Sequence, residues 1–119
     1  DKPEVRAVLD WEMATVGDPL TDVGWLALSW VEEEGPDGVT EDLGFPSLSA
    51  VLERYRRQVG EETNSIDWYI AFACFKLAVI REGIRGRHQR GETVGAGFEE
   101  IGDRIDSVAE RGLQFLDPA

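Results

Sequence analysis

At 119 residues the chain can bury one hydrophobic core, and a composition that is 42% hydrophobic and 30% charged excludes a disordered polymer. Its 24 acidic against 12 basic residues give a net charge of −12, which repels the phosphate backbone and disfavours nucleic acid as a partner. No run reaches the roughly 18 apolar residues of a membrane span, and the single cysteine, Cys74, excludes an internal disulfide and fits a packed thiol in a reducing, cytoplasmic setting.

The opening Asp1-Lys2-Pro3-Glu4 has neither an initiator Met nor a signal-peptide pattern, which points to a segment of a longer polypeptide. Val5 to Leu9 is apolar and β-branched and stops at Asp10, so it reads as a short β segment presenting an acid at its C-terminal end. A strand needs a mate, and none follows, so the mate is expected upstream. Gly17-Asp18-Pro19 is turn chemistry, with Asp18 as helix cap and Pro19 at the first helical position. The helix it opens runs to about Val31, with Val23, Leu26, Ala27 and Trp30 on the inner face. Trp11, Trp25 and Trp30 read as core, because aromatic rings at helical spacing bury area.

From Glu32 to Pro46 the chain is too polar and too broken by Gly and Pro for regular structure, and it reads as an acidic surface loop carrying Glu32, Glu33, Glu34, Asp37, Glu41 and Asp42. Ser47 to Val59 repeats Leu48, Val51, Leu52, Tyr55 and Val59 at helical spacing before Gly60, the residue type favoured just past a helix end. Ser65 to about Arg90 carries Ile70, Ala73, Leu77, Ile80 and Ile84 on one face and Trp68, Phe72, Phe75 and Val79 on the other, the pattern of a central helix. Gly83 and Gly86 are expected to loosen or bend its end. A last helix is expected from about Gly97 to Leu116, stopped by Asp117-Pro118. One β segment followed by about four helices is mainly α, odd as a whole domain but ordinary as a helical lobe.

Chemistry concentrates in V-L-D-W-E-M-A-T-V-G-D-P-L-T-D-V-G-W-L, where Asp10, Glu12, Asp18 and Asp22 place four carboxylates in thirteen residues. Spacing leaves two readings open: acids that cap helices and sit in water, or a site for a hard cation such as Mg²⁺, which takes one or two carboxylates together with substrate phosphates and water. Asp10, at a strand end, is the best candidate ligand. A second cluster, Arg81, Arg85 and Arg87 with His88 and Arg90, reads either as an anionic-substrate contact or as solvated cations paired with Glu82 and Glu92.

The segment from Val8 to Leu26 resembles the metal-binding motif of the aminoglycoside phosphotransferase-like family, kin to choline and homoserine kinases: hydrophobic-hydrophobic-D-W/F-E, then G-D-P, then D-hydrophobic-A/G. The resemblance implies the helical C-lobe of a protein kinase-like α+β fold, with residues 1–119 as that lobe and the N-lobe and catalytic loop absent. It implies an ATP- and Mg²⁺-dependent kinase that transfers phosphate to the hydroxyl of a small molecule. Asp10 then corresponds to the aspartate that holds Mg²⁺ between nucleotide phosphates, with Glu12 as a second ligand or a contact through water. Asp22 corresponds to a buried aspartate supporting the catalytic loop, although sequence equally allows an ordinary helix-surface acid.

The family's catalytic-loop pattern, H-G-D with Asn four residues on, does not occur; the one His is His88, so residues 1–119 alone are expected to be inactive. The spelling D-W-E-M-A-T-V-G-D-P-L-T-D-V-G-W-L is especially similar to the branch of kinase-like domains associated with acyl-CoA dehydrogenases, which implies a hydroxyacyl-CoA acceptor whose anionic CoA portion meets the Arg cluster; a polycationic aminoglycoside acceptor would instead prefer the acidic loop Glu32 to Asp42. A rival reading is a non-catalytic helical binding or scaffold module, pseudokinase-like. Exposed apolar surface on such a lobe is expected to favour a dimer.

Overall fold

The computed structural model describes residues 4–31, 38–60 and 63–116, leaving aside the Met13 side chain. Among them are four α-helices, α1 (Leu20–Val31), α2 (Leu48–Val59), α3 (Ile66–Gln89) and α4 (Ile105–Leu116), with short 3₁₀ turns at Trp11–Met13, Glu41–Leu43 and Gly102–Arg104. The chain is thus mainly α, as expected of a helical lobe. The expected β segment at Val5–Leu9 is not formed: this stretch has no ladder partner among the described residues, and a strand without one is only extended chain.

Helix ends follow the local chemistry. Ser47 Oγ accepts from the Ala50 N–H at 3.3 Å, capping α2, and Gly60 ends it in the left-handed region at φ 76°, its N–H bonding Arg56 O at 2.9 Å. α3 runs unbroken through Gly83 and Gly86, so the loosening expected there does not occur. α4 begins later than the apolar repeat suggests. Gly95 and Gly97 stand at φ 108° and 97°, outside helical space, and the chain enters α4 through the 3₁₀ turn instead. Of the acidic loop, Glu32, Glu33, Glu34 and Asp37 lie outside the described residues, as does Asp117-Pro118.

The core joins Ala27 and Leu28 of α1, Ile66, Ile70, Ala73 and Cys74 of α3, and Val108 of α4, with Leu48 and Leu52 of α2 packed against it. Cys74 is fully buried, the packed thiol anticipated from sequence. α3 is the central element, packed against both α1 and α4. Two glycines set these crossings. A Cβ on Gly24 would fall 2.7 Å from the backbone C and O of Tyr69, and one on Gly112 would fall 2.8 Å from Cys74 Cβ. Both helices approach α3 at distances that no side chain on those positions allows.

The close approach at Gly24 turns α1 so that Leu20, Gly24, Ala27 and Leu28 face inward, while Leu26, expected inside, is exposed. The tryptophans are corrected in the same way. Trp11 is 67% exposed and Trp25 39%, and Trp30 is half-buried, its indole N–H donating to Pro46 O at 3.0 Å. Trp25 carries Lys76 Nζ 5.0 Å from its ring centroid, a cation–π contact at the surface rather than core packing. On α3 the second apolar face is likewise exposed, with Trp68, Phe75 and Val79 more than half open.

Candidate functional site

Asp10 has φ 66° and ψ 46°, the left-handed region, and is the one non-glycine residue with positive φ among those described. That conformation costs an L-residue roughly 1–2 kcal/mol, with Asp and Asn the most tolerant, and such outliers concentrate at functional sites. The kink lets Asp10 start the 3₁₀ turn Trp11–Met13, closed by Ala14 N–H to Trp11 O at 3.0 Å. The Trp11 indole folds back and donates to Val8 O at 2.7 Å. Asp10's carboxylate makes no capping bond to this turn, and it is exposed, as is Glu12 two residues on. Both oxygens therefore remain available as acceptors for a hard cation.

Among the described residues no group of three or more His, Cys, Asp or Glu side chains is gathered as a metal cage. A protein-only site for Ca²⁺ or Zn²⁺ does not fit this donor set; a Mg²⁺ ion held by one or two carboxylates and completed by phosphates and water does. Asp22 is exposed in the first turn of α1, close to the positive end of the helix dipole.

Asp18 is the best-anchored of the four acids. Its Oδ1 accepts from the Leu20 N–H at 3.0 Å, at the start of α1, and its Oδ2 accepts from the Tyr69 hydroxyl on α3. The Tyr69 bond first, and the Leu20 N–H second, hold its carboxyl below the usual 3.8. Because the folded value is depressed, the ionised carboxylate stabilises the fold above the unfolded value, and this contribution is lost as pH falls through the folded one. Asp18→Asn is therefore expected to be less stable than the parent near neutrality, with the two urea midpoints converging as the pH falls below 3.8 and through the depressed folded value; a gap constant over that range would contradict it. Sequence reasoning found the cap and missed Tyr69, which sits 51 residues away with no local signal marking the pair.

The arginines do not form one open cluster. Arg81 Nη1 donates to Arg104 O at 3.0 Å, tying α3 to the entry of α4. Arg85 pairs with Glu82 at 2.6 Å, and its stem lies against Gly102, where a Cβ would be 3.0 Å from Arg85 Cδ. Arg90 forms a two-pronged pair with Glu92, 3.0 Å at each contact. His88 Nδ1 lies 2.8 Å from Thr93 Oγ1 and its ring stacks over Phe98 at 6.0 Å. Arg87 is exposed in the last turn of α3. Exposed pairs of this kind contribute little to stability. Concavities elsewhere among the described residues include an open cleft of about 540 Å³ bounded by Trp30, Glu41, Asp42, Arg111 and Phe115, and an apolar groove of about 380 Å³ between α3 and α4.

The profile of the phosphotransferase enzyme family matches residues 1–69, more than half of the chain and the whole of the acidic segment. The chain belongs to the phosphotransferase enzyme family. Its curated relatives include acyl-CoA dehydrogenase family member 10 of Mus musculus, 31% identical over 97% of this chain and 12% of that protein. Acyl-CoA dehydrogenase family member 11 of Rattus norvegicus is 31% identical, and that of Homo sapiens 30%, each over 93% of this chain and 15% of the relative. The association with acyl-CoA dehydrogenases that the motif's spelling suggested is thus seen in these relatives, of whose length this phosphotransferase-family segment spans 12–15%. No solved structure matches it significantly. No helix among the described residues is long and apolar enough to cross a membrane.

Proposed function

We propose that residues 1–119 are the helical lobe of an ATP- and Mg²⁺-dependent phosphotransferase that delivers phosphate to the hydroxyl of a small molecule, with Asp10 as the ion-positioning carboxylate. The observation that carries this reading is Asp10 itself: it lies within the stretch matched by the phosphotransferase family, in a strained left-handed conformation, with its carboxylate unused by the turn it begins. Bound Mg²⁺ would offset the negative charge of the nucleotide phosphates, which is most of what phosphoryl transfer demands. The part of Asp10 is to hold that ion at a fixed place, and Glu12 reaches it directly or through water. Asp22 is assigned to backbone N–H groups of a catalytic loop outside this sequence. The 119 residues contain no H-G-D base pattern, so by themselves they are expected to be inactive. Of the arginines proposed for an anionic acceptor such as hydroxyacyl-CoA, Arg87 is the most open, since Arg81 and Arg85 already hold Arg104 O and Glu82. A cytoplasmic setting goes with this nucleotide chemistry.

The rival, a non-catalytic helical binding or scaffold module, is favoured by the exposed apolar face of α3 and α4. Calorimetry of Mg-ATP with the full-length protein separates the two: binding that requires the metal supports the phosphotransferase, and no heat at millimolar nucleotide supports the module. The same face gives the expected dimer its residues, Trp68, Phe75 and Leu113. Light scattering of residues 1–119 should show a mass that rises with concentration and falls back in Leu113→Lys. A strictly monomeric species at high concentration excludes self-association.

A further inference from the structure

The stretch carrying Asp10 and Glu12 has little grip on the helical body. Its described side chains from Glu4 to Pro19 are exposed, and its hydrogen bonds up to Ala14, Trp11 Nε1 to Val8 O and Ala14 N to Trp11 O, remain within the segment. Among the described residues, the first hydrogen bond to another part of the molecule is at Asp18, whose two oxygens are divided between α1, through the Leu20 N–H, and α3, through the Tyr69 hydroxyl. Pro19 follows with its fixed φ, which stiffens the link between Asp18 and α1.

Tyr69 is itself held on several sides. Its backbone carbonyl is the surface on which Gly24 of α1 rests, and its ring meets Trp68 edge-on at 5.0 Å. The phenol therefore has a defined place from which to donate. We infer that Tyr69 is a positioning residue for the candidate metal-binding segment: through Asp18 its hydroxyl fixes the turn from which Asp10 and Glu12 are suspended.

The link to metal rests on the phosphotransferase reading proposed above; the tether itself does not. Outer-shell partners of a metal ligand affect its affinity by about 10–100-fold when removed; Tyr69 acts from farther off, through Asp18 and the chain back to Asp10, so the lower end is expected. Tyr69→Phe deletes the hydroxyl and keeps the ring, so α3 packing and Trp68 contact persist and the fold should not be lost.

Two measurements on the full-length protein test this. Hydrogen exchange of the peptide covering residues 11–17 should accelerate in Tyr69→Phe and in Asp18→Ala, with α3 and α4 unchanged. Mn²⁺ affinity with ATP present, read by electron paramagnetic resonance, should fall about tenfold in each variant and no further in the double variant than in Asp18→Ala, since each alone removes the Tyr69–Asp18 bond. Unaltered exchange over residues 11–17 in Tyr69→Phe overturns the tether, whatever the metal does. If exchange accelerates but Mn²⁺ does not bind through Asp10 even in the parent, the tether stands and the metal reading is what fails. Additive losses in the double variant overturn the claim that Tyr69 acts through Asp18.

Discussion

Replacing Asp10 by alanine in the full-length protein is expected to lower Mg²⁺-dependent transfer from ATP by about three orders of magnitude or more, because the charge neutralisation that the metal supplies would lose its fixed address. Asparagine at the same position makes the sharper test. It tolerates the left-handed backbone as well as aspartate does, so it keeps the φ of 66° while deleting the charge. Both variants should fail alike in initial-rate assays at saturating ATP. A fully active Asp10→Asn would show that the strained backbone, not the carboxylate, is what the position needs, and a fully active Asp10→Ala would remove Asp10 from the site altogether.

Gly24→Ala should destabilise the chain by about 2 kcal/mol, although alanine is the better helix former by about 1 kcal/mol. The sign is decided by space. The added methyl would sit 2.7 Å from the Tyr69 backbone C and O and 2.9 Å from its Cβ, and backbone atoms cannot rotate away as the end of a side chain can. α1 must then lift from α3, opening the core around Ala27 and Ile70. Gly83→Ala is the control, since the nearest atom to its Cβ is Arg87 Nη1 at 3.9 Å. That substitution should stabilise by about 0.5–1 kcal/mol. Urea unfolding of the two variants against the parent measures both, and opposite signs are the expected result; stabilisation by Gly24→Ala would mean the helices do not touch there.

The helices were legible because periodicity and end signals coincided. Ser47 and Gly60 bracket α2, and the apolar repeat of α3 locates Ile70 and Ala73 in the core, although Ile80 of the same repeat is exposed. What periodicity could not supply was the choice of face on helices that are apolar nearly all round. Leu20 and Leu28 rather than Leu26 turn inward in α1 because Gly24 permits contact at backbone distance, a three-dimensional fact with no signature in spacing. Aromatic rings misled for a related reason: Trp11, Trp25 and Trp68 have core chemistry, yet the described residues cover them only in part. The β segment is not seen among the described residues, because a strand requires a ladder partner and the mate of Val5–Leu9 is expected upstream. Of the candidate site, the acids Asp10, Glu12, Asp18 and Asp22 were visible through their pattern, whereas Tyr69 belongs to the site only because folding brings it to Asp18.

The contact between Gly112 and Cys74 has a chemical consequence. Cys74 is fully buried, and a Cβ on Gly112 would fall 2.8 Å from Cys74 Cβ and 3.8 Å from its sulfur, so with α4 seated on α3 the thiol is closed to an alkylating reagent. A reagent can reach that thiol only while α4 stands away from α3, and once attached it prevents their return. The cysteine is thus a latch that chemistry can close in one direction, turning each brief separation of the two helices into a permanent mark.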